Sequence, residues 1–309
     1  MGKDWGAEPR LDPKGRRVVI TGGNSGIGFE VAKMLAADGY DIVLACRNPD
    51  KAASAVSTIS EAYPGASVRA LALDLASLES VRSAAAELAD QWSAVDTLIN
   101  NAGVMALPRY QTADGFEMQF GTNHLGHFAL TGLLLPMLEE GQSPRVVTVS
   151  SVFHKAGSMR WGDLQRVRRY TKYGAYGQSK LANLLFAFEL QRRAERSGSP
   201  LISTACHPGY SATNLQSSES RRSSSVFAAG IFKVGNGLLA QSAEAGAVPT
   251  YYASTIAGLS GGEYFGPKGM METRGRVGLA TVARKARDEE AASRLWAESE
   301  RLTGVSWFS

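Results

Sequence analysis

The sequence predicts one α/β domain built on a parallel, doubly wound sheet with helices on both faces. Three observations lead there. Short apolar runs recur along the chain, helical stretches separate them, and a glycine-rich turn joins the first run to the first helix. "RRVVIT" (16–21) is the first run, and "GFEVAKMLAADG" (28–39) after the turn carries apolar residues at helical spacing. "DIVLAC" (41–46), "VRALAL" (68–73), "TLIN" (97–100), "RVVTVS" (145–150) and "LISTAC" (201–206) are near-continuous apolar runs, as expected of strands covered on both faces. Helices are expected around 49–63, 77–92, 117–139 and 174–197. No composition break or internal repeat divides the chain. We expect a polar extension over 1–15, the domain over 16–285, and a C-terminal helix and tail over 286–309.

With 309 residues, the chain can bury a large core. Its formal charge of +4, from 33 Lys+Arg against 29 Asp+Glu, is too small to imply nucleic acid as a partner. Cys46 and Cys206 stand far apart, without a CxxC or a disulfide framework, which suits a reducing compartment and buried thiols. No stretch approaches the roughly 18 apolar residues of a membrane span, so no transmembrane segment is expected and the cytoplasm is the simplest location. The polar start "MGKDWGAEPRLDPKGR" is unlike a signal peptide, and Gly6 stands where a myristoylation signal wants Ser or Thr. Two stretches look different: 216–226 is serine- and arginine-rich, and "TGVSWFS" at the end is expected to expose Trp307 and Phe308, for docking on the same chain or a partner.

"TGGNSGIG" (21–28) lies between the first strand and its helix, where an open α/β sheet binds phosphates. Gly22, Gly26 and Gly28 allow a tight turn and a close approach of backbone N–H groups to a pyrophosphate. The spacing is G-x-x-x-G-x-G, not G-x-G-x-x-G, and Phe29 stands where a P-loop needs Lys. The end of the second strand then selects the dinucleotide. A free ribose 2′-hydroxyl favours an acid there and a 2′-phosphate favours Arg. Here the strand runs into Arg47, with no acid until Asp50, which points to NADP(H) rather than NAD(H); the plain alternative is a solvated arginine.

"YGQSK" (176–180) puts Tyr176 one helical turn before Lys180, on a segment whose apolar residues at 181, 184, 185, 188 and 190 mark it as a helix. A second Tyr-x-x-x-Lys, Tyr264 to Lys268, encloses Phe265-Gly266-Pro267 and cannot be helical, so spacing alone is weak evidence. Bringing a phenol of pKa about 10 near neutrality takes roughly 4 kcal/mol of preferential stabilisation of the phenolate, which a desolvated ammonium one turn away helps to supply.

These motifs, in this order, resemble the short-chain dehydrogenase/reductase family from about 16 to 265. They are "TGGNSGIG", "NNAG" (100–103), "GTNHLGHF" (121–128), "VSS" (149–151), "YGQSK" and "HPG" (207–209) followed by Thr213. The resemblance implies a single-domain Rossmann-type fold and an enzyme acting on a small-molecule carbonyl or alcohol. It implies Tyr176 as general acid/base, Lys180 to lower its pKa and hold the nicotinamide ribose, Ser151 on the substrate oxygen, and Asn123 anchoring a relay water. For the cofactor it implies Asn24, Ser25 and Ile27 with the turn glycines, Asp74 and Leu75 near the adenine, Asn101, Ala102 and Gly103 by the adenosine ribose, and Pro208, Gly209 and Thr213 by the nicotinamide. Within the family the chain is most similar to the retinol-dehydrogenase-type and broad carbonyl-reductase branch, without the apolar anchor of its membrane-bound relatives. Light-dependent protochlorophyllide reductase has a cysteine where Ala182 stands.

His124 and His127, three apart on an expected helix, have a spacing metals can use but no accompanying acid or cysteine cluster, so no metal is expected. His207 is expected in a loop near the substrate. The segment 227–240 suits a substrate-covering helix, an oligomer contact or a membrane-surface contact better than a span. Substrate choice is expected from loops 152–173 and 210–242. Their His154, Met159, Trp161, Leu164 and Tyr170, and Tyr210, Leu215, Phe227 and Phe232, suit a bulky lipophilic compound. Two function classes follow, an NADP(H)-dependent oxidoreductase and a cofactor-binding regulatory or scaffold protein. The set Asn123, Ser151, Tyr176 and Lys180 favours the first, since a binder needs no proton donor. A homo-oligomer is compatible with either.

Overall fold

The computed structural model describes residues 8–209 and 241–308. The serine-rich 216–226, the apolar 227–240 and Thr213 lie outside the described residues. The strands are β1 (Arg17–Thr21), β2 (Asp41–Cys46), β3 (Val68–Ala72), β4 (Thr97–Asn100), β5 (Arg145–Val149), β6 (Ile202–Cys206), β7 (Tyr264–Pro267) and β8 (Val277–Leu279). They form one sheet in the order β3-β2-β1-β4-β5-β6-β7-β8. All neighbours pair in parallel except β7 with β8, which is antiparallel and departs from the expected all-parallel sheet.

Alternation along the strands explains the two covered faces. Val19, Val43, Ala45, Leu98 and Val146 point to one side, under α3 (Leu78–Gln91), α4 (Gly126–Glu139) and α5 (Lys172–Ser197). Val18, Ile20, Ile42, Leu44, Ile99 and Val147 point to the other, under α1 (Gly26–Asp38), α2 (Pro49–Ala62) and α6 (Ala243–Thr255). The chain order reverses between β1 and β4, and that switch opens a crevice at the carboxyl ends of the strands.

The expected helix over 117–139 is broken into three pieces. One turn (Met118–Phe120) leads into a π-helical turn (Gly121–Leu125) and then α4. A π-turn inserted in a helix commonly marks a functional position, and this one carries Asn123.

Two described terminal segments are docked. Leu11 N–H donates to the Thr255 carbonyl, and Ala257 N–H to that of Pro9, so residues 9–11 run beside the end of α6. The expected exposure of Trp307 is corrected: it is 6% exposed. Its ring packs against Trp296 of α7 (Glu289–Thr303), Phe128 and Phe186, with centroids 4.4, 5.3 and 6.1 Å away, and Phe308 is partly buried beside it. An indole has too much apolar surface to leave in water when a cluster of aromatic edges is within reach.

Candidate active site

A cleft of about 470 Å³ occupies the crevice, and most of the expected residues line it. Gly22, Asn24, Ser25, Gly26, Ile27 and Gly28 form its floor, and Arg47, Asp74 and Leu75 stand at the carboxyl ends of β2 and β3. Asn101, Ala102 and Gly103 follow β4, and Tyr176, Lys180 and Pro208 close the far end. Ser151 and Gly209 directly follow the lining residues Ser150 and Pro208, and Asn123 is hydrogen-bonded to Val104 of the lining.

The floor is built to bring backbone close. A Cβ on Gly28 would stand 2.6 Å from the Gly22 carbonyl oxygen and nearer still to Asn101 Nδ2, so a side chain there would force the turn open. Thr21, at the end of β1, organises the opposite wall. Its hydroxyl oxygen accepts the N–H groups of Asn101 and Ala102, both at 2.9 Å, and Asn101 Nδ2 donates to the Thr21 carbonyl at 2.8 Å. The histidine of the π-turn region completes this joint. A carbonyl only accepts, so His127 Nδ1 donates to Asn123 O (3.1 Å) and Nε2 accepts the Thr21 hydroxyl proton (2.8 Å). Burial pushes His127 down to about 4 and keeps it neutral. His124 instead meets Ser299 Oγ at 2.9 Å, and among the described residues no group of three or more His, Cys, Asp or Glu is placed to hold a metal.

Tyr176 and Lys180 share a face of α5, with Lys180 Nζ 5.8 Å from the centre of the Tyr176 ring. Lys180 Nζ donates to the Val149 carbonyl (3.0 Å), an oxygen that also accepts Asn183 Nδ2 (3.0 Å). Burial pushes Lys180 down to about 8. The phenol differs from the expected lowering: burial pushes Tyr176 up to about 12, against a hydrogen bond with Ser151 that pulls it down. Phe153 lies edge-on to the Tyr176 ring at 5.5 Å, and this apolar neighbour adds to the desolvation.

Ser151 caps a short 3-10 turn (Val152–Lys155), its hydroxyl accepting Phe153 N–H at 3.3 Å. His154 holds the residue from behind. Its Nε2 accepts Ala283 N–H (3.2 Å), so the proton is on Nδ1 and is given to the Ser151 carbonyl (2.7 Å). Asn123 is fully buried. Its Nδ2 donates to Val104 O and Ser179 Oγ, both at 2.9 Å, and its Oδ1 accepts Val104 N–H at 2.8 Å. The side-chain amide is thereby committed to protein partners. A Cβ on Gly103 would come within 3.2 Å of Asn123 Oδ1 and 3.5 Å of Lys180 Nζ, so the three residues meet closely.

Two expectations about the substrate end are corrected, both within 152–173. Met159, Trp161 and Leu164 do not line the cleft: they pack with Leu181, Leu184, Leu185 and Leu295 into a third apolar cluster between α5 and α7. Tyr170 is spent on hydrogen bonds, and His154 is buried behind Ser151. His207 is the loop residue directly after β6, as expected, but it is wholly buried, its ring 5.2 Å from that of Tyr264. The apolar lining of the cleft includes Val104, Leu107 and Tyr110, from a stretch without helical or strand periodicity, and Met118, at the start of the turn Met118–Phe120; of these only Tyr110, 45% exposed, is an unusual surface residue.

Residues 16–224 match the family model for short chain dehydrogenase. The chain belongs to the short-chain dehydrogenase/reductase family, a class of nicotinamide-dependent oxidoreductases. Among proteins it is similar to, retinol dehydrogenase 13 of Homo sapiens is 42% identical over 295 residues, 94% of this chain and 85% of the relative. Polyprenol dehydrogenase of Mus musculus is 40% identical over 304 residues, covering 96% of this chain and 87% of the relative. The crystal structure of an uncharacterized protein from Mycobacterium paratuberculosis is 41% identical, with a TM-score of 0.78 over 99% of both chains. No helix among the described residues is long and apolar enough to cross a membrane.

Proposed function

We propose that this chain is an NADP(H)-dependent oxidoreductase that interconverts a lipophilic alcohol and its carbonyl compound, with Tyr176 as the general acid/base. The observation that carries this reading is that one cleft joins the glycine turn, Arg47 and the Tyr176–Lys180 pair. The backbone floor, open only because Gly28 has no side chain, fits a pyrophosphate. Arg47 lines the cleft where a 2′-phosphate would lie, and no acid accompanies it at the end of β2.

The bound cofactor supplies the hydride in reduction, and the chain handles the proton. Ser151 and Tyr176 hydroxyls both donate to the carbonyl oxygen, which orients the substrate, and Tyr176 transfers its proton as that oxygen becomes an alcohol. A phenol raised to about 12 is protonated at neutral pH, the form reduction needs. The reverse direction needs the phenolate, and the Lys180 ammonium is the cation placed to stabilise it. We assign the anchoring of a relay water between Lys180 and solvent to the main-chain carbonyl of Asn123, which keeps a second lone pair after accepting His127 Nδ1, because the side-chain amide is already used.

Lipophilic substrates are supported by the wall of Val104, Leu107, Tyr110 and Met118, and by the alcohols named for the two dehydrogenases above, retinol and polyprenol. The cofactor part is tested by Arg47→Asp, which we expect to weaken NADPH binding about tenfold or more while sparing NADH. Equal loss for both cofactors would remove the NADP(H) assignment.

A further inference from the structure

Most of the wall of the cleft comes from 104–110, outside the helices and strands, and Gln119 holds this stretch in place. Gln119 is fully buried, and its amide is used completely. Oε1 accepts Ala106 N–H at 2.9 Å, within the wall. Nε2 donates to Tyr170 Oη and to the Lys172 carbonyl, both at 3.0 Å, on the segment that enters α5. The Tyr170 hydroxyl passes its own proton back to the Leu107 carbonyl at 2.8 Å, closing a ring of bonds between wall and helix. A second tie runs alongside: Arg109 Nε donates to Arg166 O (3.3 Å), and the Arg166 guanidinium donates to Gln178 Oε1 and Gly174 O, both at 3.0 Å.

Two strained residues sit at the anchored points. Ala106 has φ 56° and Arg166 has φ 51°, in the left-handed region that non-glycine residues seldom occupy. Such conformations persist where surrounding bonds over-determine them, and here those bonds connect the apolar wall to the start of the helix that carries Tyr176. The amide of Gln119 alone supplies one acceptor and two donors that tie two different segments, the wall at Ala106 and the entry to α5 at Tyr170 and Lys172. Its replacement by an isosteric apolar chain would leave the buried Ala106 N–H and Lys172 carbonyl without that partner.

We infer that Gln119 is a positioning residue that sets the gap between the apolar wall and Tyr176, and so determines which alcohols and carbonyl compounds the cleft takes by their bulk. The inference rests on the activity proposed above. Gln119→Met removes all three bonds at nearly constant volume, and Tyr170→Phe, a milder change, removes one corner of the ring. The full chain with each substitution is compared with wild type in two ways. In amide hydrogen exchange, segment 104–110 is expected to lose protection while 16–28 and 174–190 keep theirs. In kinetics, the KM for a long isoprenoid alcohol relative to a short-chain alcohol is expected to change about tenfold in Gln119→Met and less in Tyr170→Phe, with NADPH affinity unchanged. An unchanged KM ratio in both variants, or NADPH affinity falling in step with KM, would overturn the inference. A wild-type protein that turned over no alcohol or carbonyl compound would instead remove the proposed activity. Exchange would still decide the positioning: protection lost at 104–110 alone upholds it, and protection unchanged or lost throughout overturns it.

Discussion

Lys180 is 3% exposed, and its ammonium donates to the Val149 carbonyl. Burial holds its pKa near 8, against 10.5 for a free lysine. A cation whose folded pKa is depressed costs stability at pH below that value. Stability therefore rises as pH climbs from about 8 toward 10.5, by roughly 3 kcal/mol if the shift is fully expressed. Lys180→Met is expected to raise the melting temperature at pH 7 and to abolish the further rise above pH 8, since Asn183 still donates to Val149 O. Turnover is expected to fall in the same variant. Thermal melts across pH check this, and a lower melting temperature at pH 7 would show that the buried charge is better compensated than its surroundings indicate. Tyr176 shows the complementary case. Its role was expected from the spacing to Lys180 and the resemblance, but the direction of its pKa was not legible, because its burial beside Phe153 has no signature in "YGQSK".

At the scale of elements, the turn between β1 and α1 makes the sharpest prediction. Gly28→Ala puts a methyl group against Gly22 O and Asn101 Nδ2, and so disturbs the Asn101–Thr21 bond that holds the opposite wall. Overpacking of this kind costs about 1–3 kcal/mol. NADPH affinity is expected to drop at least about tenfold, measured by titration, while the chain still folds. Retained affinity would mean that the turn relaxes without the cofactor noticing. This turn was plain in the sequence, as were β2 and β4, matched end to end at 41–46 and 97–100. Other elements were not. β7 reads "YFGP", whose Gly-Pro pair signals a break rather than a strand, and α6 contains Gly246 and Pro249. The π-turn at Gly121–Leu125 has the same apolar pattern as the helix around it, so periodicity runs straight through it. Loop 152–173 misled for a related reason: composition gives its aromatic and apolar content, but not that Trp161 and Leu164 turn toward α5 and α7 instead of the cleft.

Across the whole molecule, the glycine turn, Arg47, Asn101 to Gly103, Tyr176 and Lys180 come from separate parts of the chain, and the reversal of strand order at β1 and β4 gathers them. The motifs made that assembly legible, whereas the apolar wall and the Gln119 ring depend on tertiary bonds that no local pattern announces. The central claim is that this assembly moves a proton through Tyr176. It is tested most directly by NADPH oxidation with a panel of lipophilic aldehydes and ketones, run on wild type and Tyr176→Phe with NADPH affinity measured in parallel. The account predicts wild-type turnover, a loss of about 10²- to 10⁴-fold in the variant, and unchanged NADPH affinity. Turnover that survives in Tyr176→Phe would contradict it.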